Sequence, residues 1–338
     1  MIRWRFLLFL VLVVAGAPVV HADSEIRPIL RISVENTESH VQTRFVRRFA
    51  DALRAEAGDR LDVRFFPNSR LFRGSDVIYA LEQGRVEMAV PGSWHLSRAV
   101  PDVSIFLLPV FYGQTAELNH RLLAGAVGEA LTARIEETLR VRVLGSWFDL
   151  GHAHLFGVGQ PIRGHENLKG LRIRVPGGPA NGLRIETFGG RPTAIPWPDL
   201  PAWLDRGEVD GLLTTCATVV SARLWEHGVT SAFLDREYFP QYVPLIAAPF
   251  WRNLSPDLRQ AMSRIWAKLV PEQRRAAAAD QSAAVRTLAA NGVTINRPAQ
   301  GVLDQWRDRL RPLEERMVRE LGIDPAVYRL VLQEAAIP

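Results

Sequence analysis

The sequence has very little cysteine and very little lysine. Cys216 is the only cysteine in 338 residues, so the chain has no internal disulfide. No base is predicted beside this thiol, and we expect Cys216 to be a small buried residue. Lys169 and Lys268 are the only lysines, and the remaining basic residues are arginines spread without blocks of like charge. This pattern excludes the charge footprint of a nucleic-acid-binding protein.

Recognised catalytic motifs are also missing from the sequence. It contains no G-x-S-x-G, no H-E-x-x-H, no P-loop and no G-x-G-x-x-G after a strand. His152 and His154 would face the same side of a predicted strand, which would suit a pair of metal ligands. A zinc site needs further ligands, and no other His or Cys cluster supplies them. We therefore predict no metal and no cofactor.

The only long apolar run lies at the N-terminus. Arg3 and Arg5 precede an unbroken apolar segment from Phe6 to Ala17, and Val20-His21-Ala22 offers a cleavage site. A membrane-spanning helix needs ~20 apolar residues, and this segment is shorter. We predict a signal peptide over residues 1–22, cleaved after Ala22, and export to the periplasm. Its removal lowers the formal net charge from +5 to +3.

Short β-rich runs alternate with amphipathic segments along the mature chain. Phe45, Phe49 and Leu53 recur at fourfold spacing in a helix predicted over 41–57. This rhythm of strand and helix returns after residue 150, which predicts two α/β lobes that exchange strands across a hinge. Further predicted elements are a helix over Leu118–Leu139, a strand over Val243–Pro249, and separate helices over Pro256–Leu269, Pro271–Asn291 and Gln300–Leu321.

Several short motifs occur in a characteristic order. Leu168-Lys169-Gly170 precedes a strand that ends in Arg174-Val175-Pro176, and GEVDG follows at 207–211. In the first half, FPNS at 66–69 and MAVP at 88–91 precede LLP at 107–109. With these motifs the mature chain resembles, over almost its whole length, the extracytoplasmic solute receptors of tripartite ATP-independent periplasmic (TRAP) transporters, of the dicarboxylate (DctP) type.

The resemblance implies an α/β, two-lobed periplasmic binding protein fold with an interlobe cleft, hinge strands and a long C-terminal helical region. Lobe I is expected over residues 23–150 with a return segment near 243–275, and lobe II over 151–242. Residues 276–338 are expected to form helices that pack on both lobes. The implied partners are a small organic acid and the subunits of a TRAP membrane permease. The receptor is expected to be a monomer.

The resemblance also implies that Arg174 clamps the carboxylate of the ligand. A guanidinium stays charged and offers a planar pair of donors that matches a carboxylate. By strict alternation Arg172 and Arg174 share one face of the strand, so periodicity does not choose between them. The other residues expected to line the cleft are Glu35, Asn36, Ser39, Ser75, Ser93, Trp94, His152, Trp197, Thr214, Arg236 and Tyr238.

The sequence also departs from the family. Many relatives have a second arginine where this chain has Ala153. Without that second guanidinium a monocarboxylate becomes as plausible a ligand as a dicarboxylate, and His152 or His154 would partly substitute. Two alternatives to a transport receptor remain at this point. One is a secreted enzyme using His152, His154 or Asp199, and the other is a receptor that reports to a sensor kinase.

Overall fold

The computed structural model describes residues 27–335, and the predicted signal peptide lies outside them. Within this part of the chain no helix is long and apolar enough to span a membrane. The strands are β1 (Ile29–Ser33), β2 (Asp62–Phe66), β3 (Met88–Ala89), β4 (Val141–Val143), β5 (Phe148–Asp149), β6 (Ala153–Val158), β7 (Arg172–Val175), β8 (Arg191–Ala194), β9 (Gly211–Thr214), β10 (Val229–Tyr238), β11 (Gln241–Tyr242), β12 (Leu245–Ala247) and β13 (Thr294–Asn296).

The α-helices run between and after these strands. They are α1 (Val41–Ala57), α2 (Val77–Glu82), α3 (Ser93–Leu96), α4 (Ala116–Ala124), α5 (Ala126–Leu139), α6 (Pro179–Thr187), α7 (Leu200–Asp205), α8 (Cys216–Ser221), α9 (Ala248–Asn253), α10 (Pro256–Ala290), α11 (Gln300–Leu310), α12 (Glu314–Leu321) and α13 (Pro325–Glu334). Cys216 is buried, as the sequence predicted, at the start of α8.

Two sheets form the centres of the two predicted lobes. The sheet of lobe I has the order β2-β1-β3-β12-β4, in which β1 is parallel to β2 and β3. The sheet of lobe II has the order β13-β10-β6-β9-β7-β8, and β7 is parallel to both of its neighbours. The α/β class and the two-lobed architecture are therefore confirmed. The exact lobe boundaries at 150, 242 and 275 stay a prediction.

The chain crosses between the sheets along two extended segments and, between β12 and β13, along helix α10. It leaves lobe I after β4 and enters lobe II at β6, and it returns between β10 and β12. The two crossover segments, residues 148–153 and 238–244, pair through the short antiparallel strands β5 and β11. Gln273 of α10 holds the first segment, because its side chain accepts from the Asp149 N–H at 2.8 Å and donates to the Asp149 carbonyl at 2.7 Å.

Helix α10 corrects one prediction, because it continues through Pro271 where two helices were expected. An interior proline costs about 3 kcal/mol. Met262, Ile265 and Trp266 are buried before the proline, and Ala277 and Leu288 are buried after it. Burial of each large apolar side chain contributes about 1.5–3 kcal/mol. Packing against both lobes therefore outweighs the proline, whose own ring lies exposed on the outer face.

Other element boundaries also differ from the predictions. The helix expected over 118–139 is two helices separated by Gly125, whose backbone is extended. The strand expected over 243–249 ends at Ala247, because helix α9 begins at Ala248 with Pro249 in its first turn. The helix expected over 300–321 is interrupted by a 3₁₀ turn at 311–313, which contains Pro312. A glycine or a proline lies at each of these three boundaries. The pattern of apolar residues continues past it and does not show where the element ends.

Candidate ligand-binding cleft

A cavity lies between the lobes beside the two crossover segments. Including its open side it measures about 440 Å³. Loops at the carboxyl ends of parallel strands, where open α/β sheets bind ligands, contribute to it from both lobes. Its walls are formed by Glu35, Asn36, Trp94, Leu150, Ala153, Arg174, Pro176, Trp197, Thr214, Thr215, Thr218, Tyr238, Pro240 and Tyr242.

Arg174 reaches the cavity from the end of β7 and is buried, with 3 % of its surface exposed. Its Nε donates to the Ile195 carbonyl at 3.1 Å, and its Nη1 donates to the Leu213 carbonyl at 3.5 Å. Burial lowers the pKa of Arg174 to about 10, against the opposing charge of Glu35, so the guanidinium is still charged at neutral pH. The two bonds hold the side chain in place and leave most of its N–H donors for other acceptors.

Arg172, the alternative on the same strand, does not line the cavity. Its Nη2 lies 2.7 Å from Asp210 Oδ1, and its Nε donates to Asp210 Oδ2 at 3.0 Å. Asp210 belongs to the GEVDG motif, so this arginine joins that loop to β7. The tertiary structure thus distinguishes the two arginines that periodicity left equivalent.

Glu35 faces Arg174 from lobe I. Its Oε2 lies 3.1 Å from His95 Nε2, and the indole nitrogen of Trp94 lies 3.0 Å from that same histidine nitrogen. Burial by itself would raise the pKa of Glu35, but His95 and then Arg174 outweigh it and hold the pKa below its usual value. A Cβ at Gly74 would lie 2.1 Å from Glu35 Oε2, so the carboxylate fits only against a glycine. Lobe I thus presents an anionic acceptor to the cavity.

The side-chain amide of Asn36 has a defined orientation. Its Nδ2 donates to Gln42 Oε1 at 2.6 Å and to the Tyr242 hydroxyl at 2.7 Å. Gln42 is fully buried and in turn donates to the Val90 carbonyl. With the amide nitrogen occupied, Asn36 has its oxygen left to accept a hydrogen bond. Lobe I therefore offers acceptors where lobe II offers the Arg174 donor.

Hydroxyl groups and one indole complete the cavity. Thr215 caps helix α8, and its Oγ1 lies 2.8 Å from the hydroxyl of Thr218. Burial raises the pKa of Tyr238, whose phenol therefore stays protonated and able to donate. Trp197 is half-buried and borders both the cavity and its mouth. Its ring can cover the carbon skeleton of a ligand.

The two lobes touch each other across the mouth of the cleft. Arg73 Nη1 of lobe I lies 2.6 Å from Asp199 Oδ2 of lobe II. A Cβ at Gly178 would lie 2.8 Å from the Trp94 carbonyl, so the backbone of lobe II packs directly on α3. These contacts describe a closed arrangement. They also give Asp199, which was a candidate catalytic residue, an ion-pair partner across the lobes.

The structure places most of the expected site residues together. Glu35, Asn36, Trp94, Arg174, Trp197, Thr214 and Tyr238 line the cavity, and Ser75 lies at its mouth with its hydroxyl 3.0 Å from Asp76. Ser39 is exposed and hydrogen-bonds with Thr37, and Ser93 is buried within α3, so neither lines the cavity. Both residues were predicted because they lie close in the sequence to residues that do line the cavity. The local backbone directs these two side chains away from it.

His152 and Arg236 also lie outside the cavity, which corrects two predictions. Side chains alternate across an extended segment, and Ala153 faces the cleft while His152 and His154 face the opposite side. His152 Nε2 lies 3.0 Å from the Gln114 carbonyl. The position of the expected second arginine thus borders the cavity, but Ala153 brings no charge there. The predicted substitution by His152 or His154 is wrong for the same geometric reason.

Several lining residues were not predicted from the sequence. They are Leu150, Pro176, Thr215, Thr218, Pro240 and Tyr242, together with His95, which borders the mouth. Leu150, Pro240 and Tyr242 belong to the crossover segments, whose pairing joins residues that are far apart in the sequence. His95 follows Trp94 directly, and that proximity was the only available signal.

A second polar cluster is fully buried in lobe II, away from the cavity. His165, Asp235 and Glu237 place nitrogen and oxygen atoms within 4.8 Å of one another, an arrangement that a metal ion can use. Within the structure these groups also compensate each other. His165 Nε2 lies 2.8 Å from Glu237 Oε1, and Arg184 forms an ion pair with the same carboxylate. The cluster therefore reads as an ion network that ties β10 to its neighbours.

The cluster makes stability depend on pH. Burial opposes the charge of His165, but its hydrogen bonds with Asp235 and Glu237 outweigh burial and raise its pKa to about 9. A raised histidine pKa stabilises the fold below its ordinary value near 6.5, and the stabilisation is lost as the pH rises through 9. We expect the free energy of unfolding to fall by on the order of 3 kcal/mol between pH 6.5 and 9.5.

Urea unfolding at both pH values measures this difference. His165→Gln should remove most of the pH dependence, whereas His227→Gln should leave it in place, since His227 pairs with Asp205 on the surface. An equally steep loss of stability in the His165→Gln chain would contradict the assignment.

Comparisons with known proteins agree with this geometry. The model of the DctP family, bacterial extracellular solute-binding protein family 7, matches residues 32–321. The 2,3-diketo-L-gulonate-binding periplasmic protein YiaO of Escherichia coli is 26 % identical over 284 residues, covering 84 % of this chain and 85 % of that protein.

Two solved structures share the fold. A TRAP periplasmic solute-binding protein of Ralstonia eutropha H16 with bound (S)-2-acetolactate superimposes with a TM-score of 0.84 at 19 % identity, covering 92 % of this chain and 99 % of its own. Another, from Sulfitobacter sp. NAS-14.1 with bound β-D-galacturonate, has a TM-score of 0.82 at 19 % identity, with 91 % and 99 % covered. Since the family model spans most of the sequence, this chain belongs to family 7 of the bacterial extracellular solute-binding proteins, the DctP family.

Proposed function

We propose that this protein is the periplasmic receptor of a TRAP transporter and that its ligand is a hydroxylated monocarboxylic acid. The observation that carries the proposal is the buried Arg174 guanidinium, which faces the Glu35 carboxylate across the cavity between the two lobes. The ligand carboxylate binds Arg174, and its hydroxyl groups donate to Glu35 and to the Asn36 oxygen. Closure of the lobes over the ligand is favoured by its higher affinity for the closed form.

Glu35 supports the choice of a monocarboxylate over a dicarboxylate. A second ligand carboxylate would meet an ionised, buried carboxylate of the protein, and like charges at close range in a desolvated site repel strongly. Ala153 supplies no compensating cation on the opposite wall. Galacturonate and acetolactate, which occupy two of the solved relatives, are hydroxylated acids with a single carboxyl group, whereas a third relative, from Sulfurospirillum deleyianum, holds succinate.

We also propose that the protein works in the periplasm and releases its ligand to a membrane permease. The signal peptide is cleaved after Ala22, and the mature chain works as a monomer that delivers its ligand to the membrane subunits of the transporter. The ligand leaves chemically unchanged. In support, His152 and His154, two of the residues considered as catalytic groups, lie outside the cavity, and the third, Asp199, pairs with Arg73.

Calorimetric titration of the mature chain with a panel of organic acids tests the function. We expect galactonate, galacturonate or a related hydroxy acid to bind about tenfold more tightly than succinate, or better. The repulsion between the second carboxylate of succinate and the buried Glu35 carboxylate should cost more than about 1.4 kcal/mol, which corresponds to a factor of ten in affinity. Glu35→Gln removes the conflict and should narrow or reverse this preference. Failure of every acid in the panel to bind would overturn the receptor proposal, and tight succinate binding by the unaltered chain would overturn the monocarboxylate assignment.

A further inference from the structure

A second space lies on the other side of the crossover segments. Along the first segment Leu150 and Ala153 face the ligand cavity, whereas Asp149, His152 and His154 face this second space. Along the returning segment Pro240 faces the cavity and Phe239 faces the second space. We call it the hinge groove. Including its open side it measures about 1110 Å³, and α4, both crossovers and α10 form its walls.

Arginine side chains outnumber carboxylates along the hinge groove. Arg236, Arg274 and Arg275 contribute positive charges, and Asp149 and Glu117 are the acidic groups. Both oxygens of Asp149 are already occupied, because His120 Nε2 lies 2.8 and 3.0 Å from them and Gln241 donates to Oδ1 at 3.0 Å. Glu117 is exposed at the start of α4, where its own backbone N–H and Thr115 hold its pKa below the usual value.

Arg274 has an unsatisfied donor in this groove. Its Nε is buried and has no hydrogen-bond acceptor among residues 27–335, and the nearby Asp149 Oδ1 is 3.8 Å away. Its Nη2 donates to the Trp147 carbonyl at 3.3 Å. A buried N–H of a charged group without an acceptor is costly. The Arg274 side chain as a whole is 23 % exposed, so an acceptor in the groove can bond to guanidinium N–H groups that the Trp147 carbonyl leaves free.

His152 and His154 do not compete for such an acceptor as cations. Burial, followed by the charge of Arg236, lowers the pKa of His154 to about 3, and burial likewise lowers that of His152 to about 3. His154 Nδ1 accepts from the backbone N–H of Arg236 at 3.1 Å. Arginine side chains therefore supply positive charge to the groove beside the neutral imidazoles of His152 and His154.

We propose that the hinge groove is a second ligand site, which binds a small oxyanion of the carboxylate or phosphate type through Arg274, with Arg236 and Arg275 beside it. A guanidinium presents parallel donors that suit either group. The site is separate from the cleft and does not depend on the function proposed there. Because its walls come from both lobes and from α10, its occupancy is linked to lobe closure.

The test uses the mature chain carrying Arg174→Ala, so that the cleft does not take up the probe. Inorganic phosphate and acetate are titrated separately at low ionic strength and followed by NMR chemical shifts. We expect saturable binding of at least one probe. If phosphate binds and acetate does not, or the reverse, the result shows which oxyanion the site prefers. Arg274→Gln should weaken the binding about tenfold or more. Arg264 lies on the same helix as Arg274, but it is exposed and pairs with Glu56. Arg264→Gln should therefore leave the binding of the probe unchanged.

Arg275→Gln keeps the experiment decisive if Arg274→Gln fails to fold, since Arg275 is exposed at the rim of the groove and its loss should also weaken binding. Two results would overturn the proposal. One is the absence of saturation by either probe at about 10 mM, well above the concentration expected for even a weak site. The other is equal weakening by the groove variants and by Arg264→Gln.

Discussion

Arg174→Ala is expected to weaken binding of the cognate organic acid by about 100-fold or more. The substitution removes the proposed charge-assisted pair of hydrogen bonds to the ligand and would leave its carboxylate desolvated, which costs roughly 2–5 kcal/mol. Arg174→Lys keeps a positive charge but loses the planar fork, so it should recover only part of the affinity. Calorimetric titration with the acid that binds the unaltered chain most tightly measures both effects.

Arg172→Ala is the matched control for this experiment. Arg172 lies two residues earlier on β7 and pairs with Asp210 outside the cavity, so affinity should stay close to that of the unaltered chain. If Arg174→Ala kept the full affinity, the clamp assignment would be wrong, although the protein would remain a receptor. Comparing the two variants thus tests the role of the Arg174 side chain without testing whether the protein is a receptor.

Arg184→Met is expected to have the largest effect on stability, a loss of about 3–5 kcal/mol in the free energy of unfolding. Arg184 is 2 % exposed, forms an ion pair with Glu237 and donates to the Leu107 carbonyl at 2.5 Å. Its removal takes away one of the two basic side chains that contact the buried Glu237 carboxylate, the other being His165, and breaks a bond to the segment before Pro109. Urea unfolding at pH 7 measures the loss.

A second substitution identifies the cause of that loss. Adding Glu237→Gln to Arg184→Met removes the carboxylate that has lost its arginine partner, and the double variant should be more stable than Arg184→Met alone. Arg172→Met, which breaks a pair at the surface, should change stability little. A double variant less stable than Arg184→Met would show that packing, rather than charge compensation, explains the effect.

The local features of the fold were largely predictable from the sequence. Apolar side chains at fourfold spacing located α1, and short β-rich runs located β1 and β2, because periodicity reports directly which face of an element is buried. The boundaries were less predictable. The continuous helix α10 passes through Pro271 because packing outweighs a local preference, and packing is not visible in a local pattern.

Strand β10 shows a second limit of the sequence. It carries Asp235, Arg236 and Glu237 in a row, and this charged run does not read as the longest strand of the molecule. Asp235 and Glu237 are fully buried, which their ion network with His165 and Arg184 makes tolerable. The partners come from α6 and from the turn before β7, so their contribution appears only when those elements pack together.

The sequence by itself determined the family and the α/β lobes, because ordered motifs and side-chain periodicity are local properties of the chain. It also placed a pair of arginines on β7. Only the tertiary structure decided that Arg174 enters the cleft, that Arg172 joins a loop, and that His152 faces the hinge groove. Alternation assigns side chains to two faces of a strand, but the packing of the second lobe and of α10 decides which face becomes the ligand site.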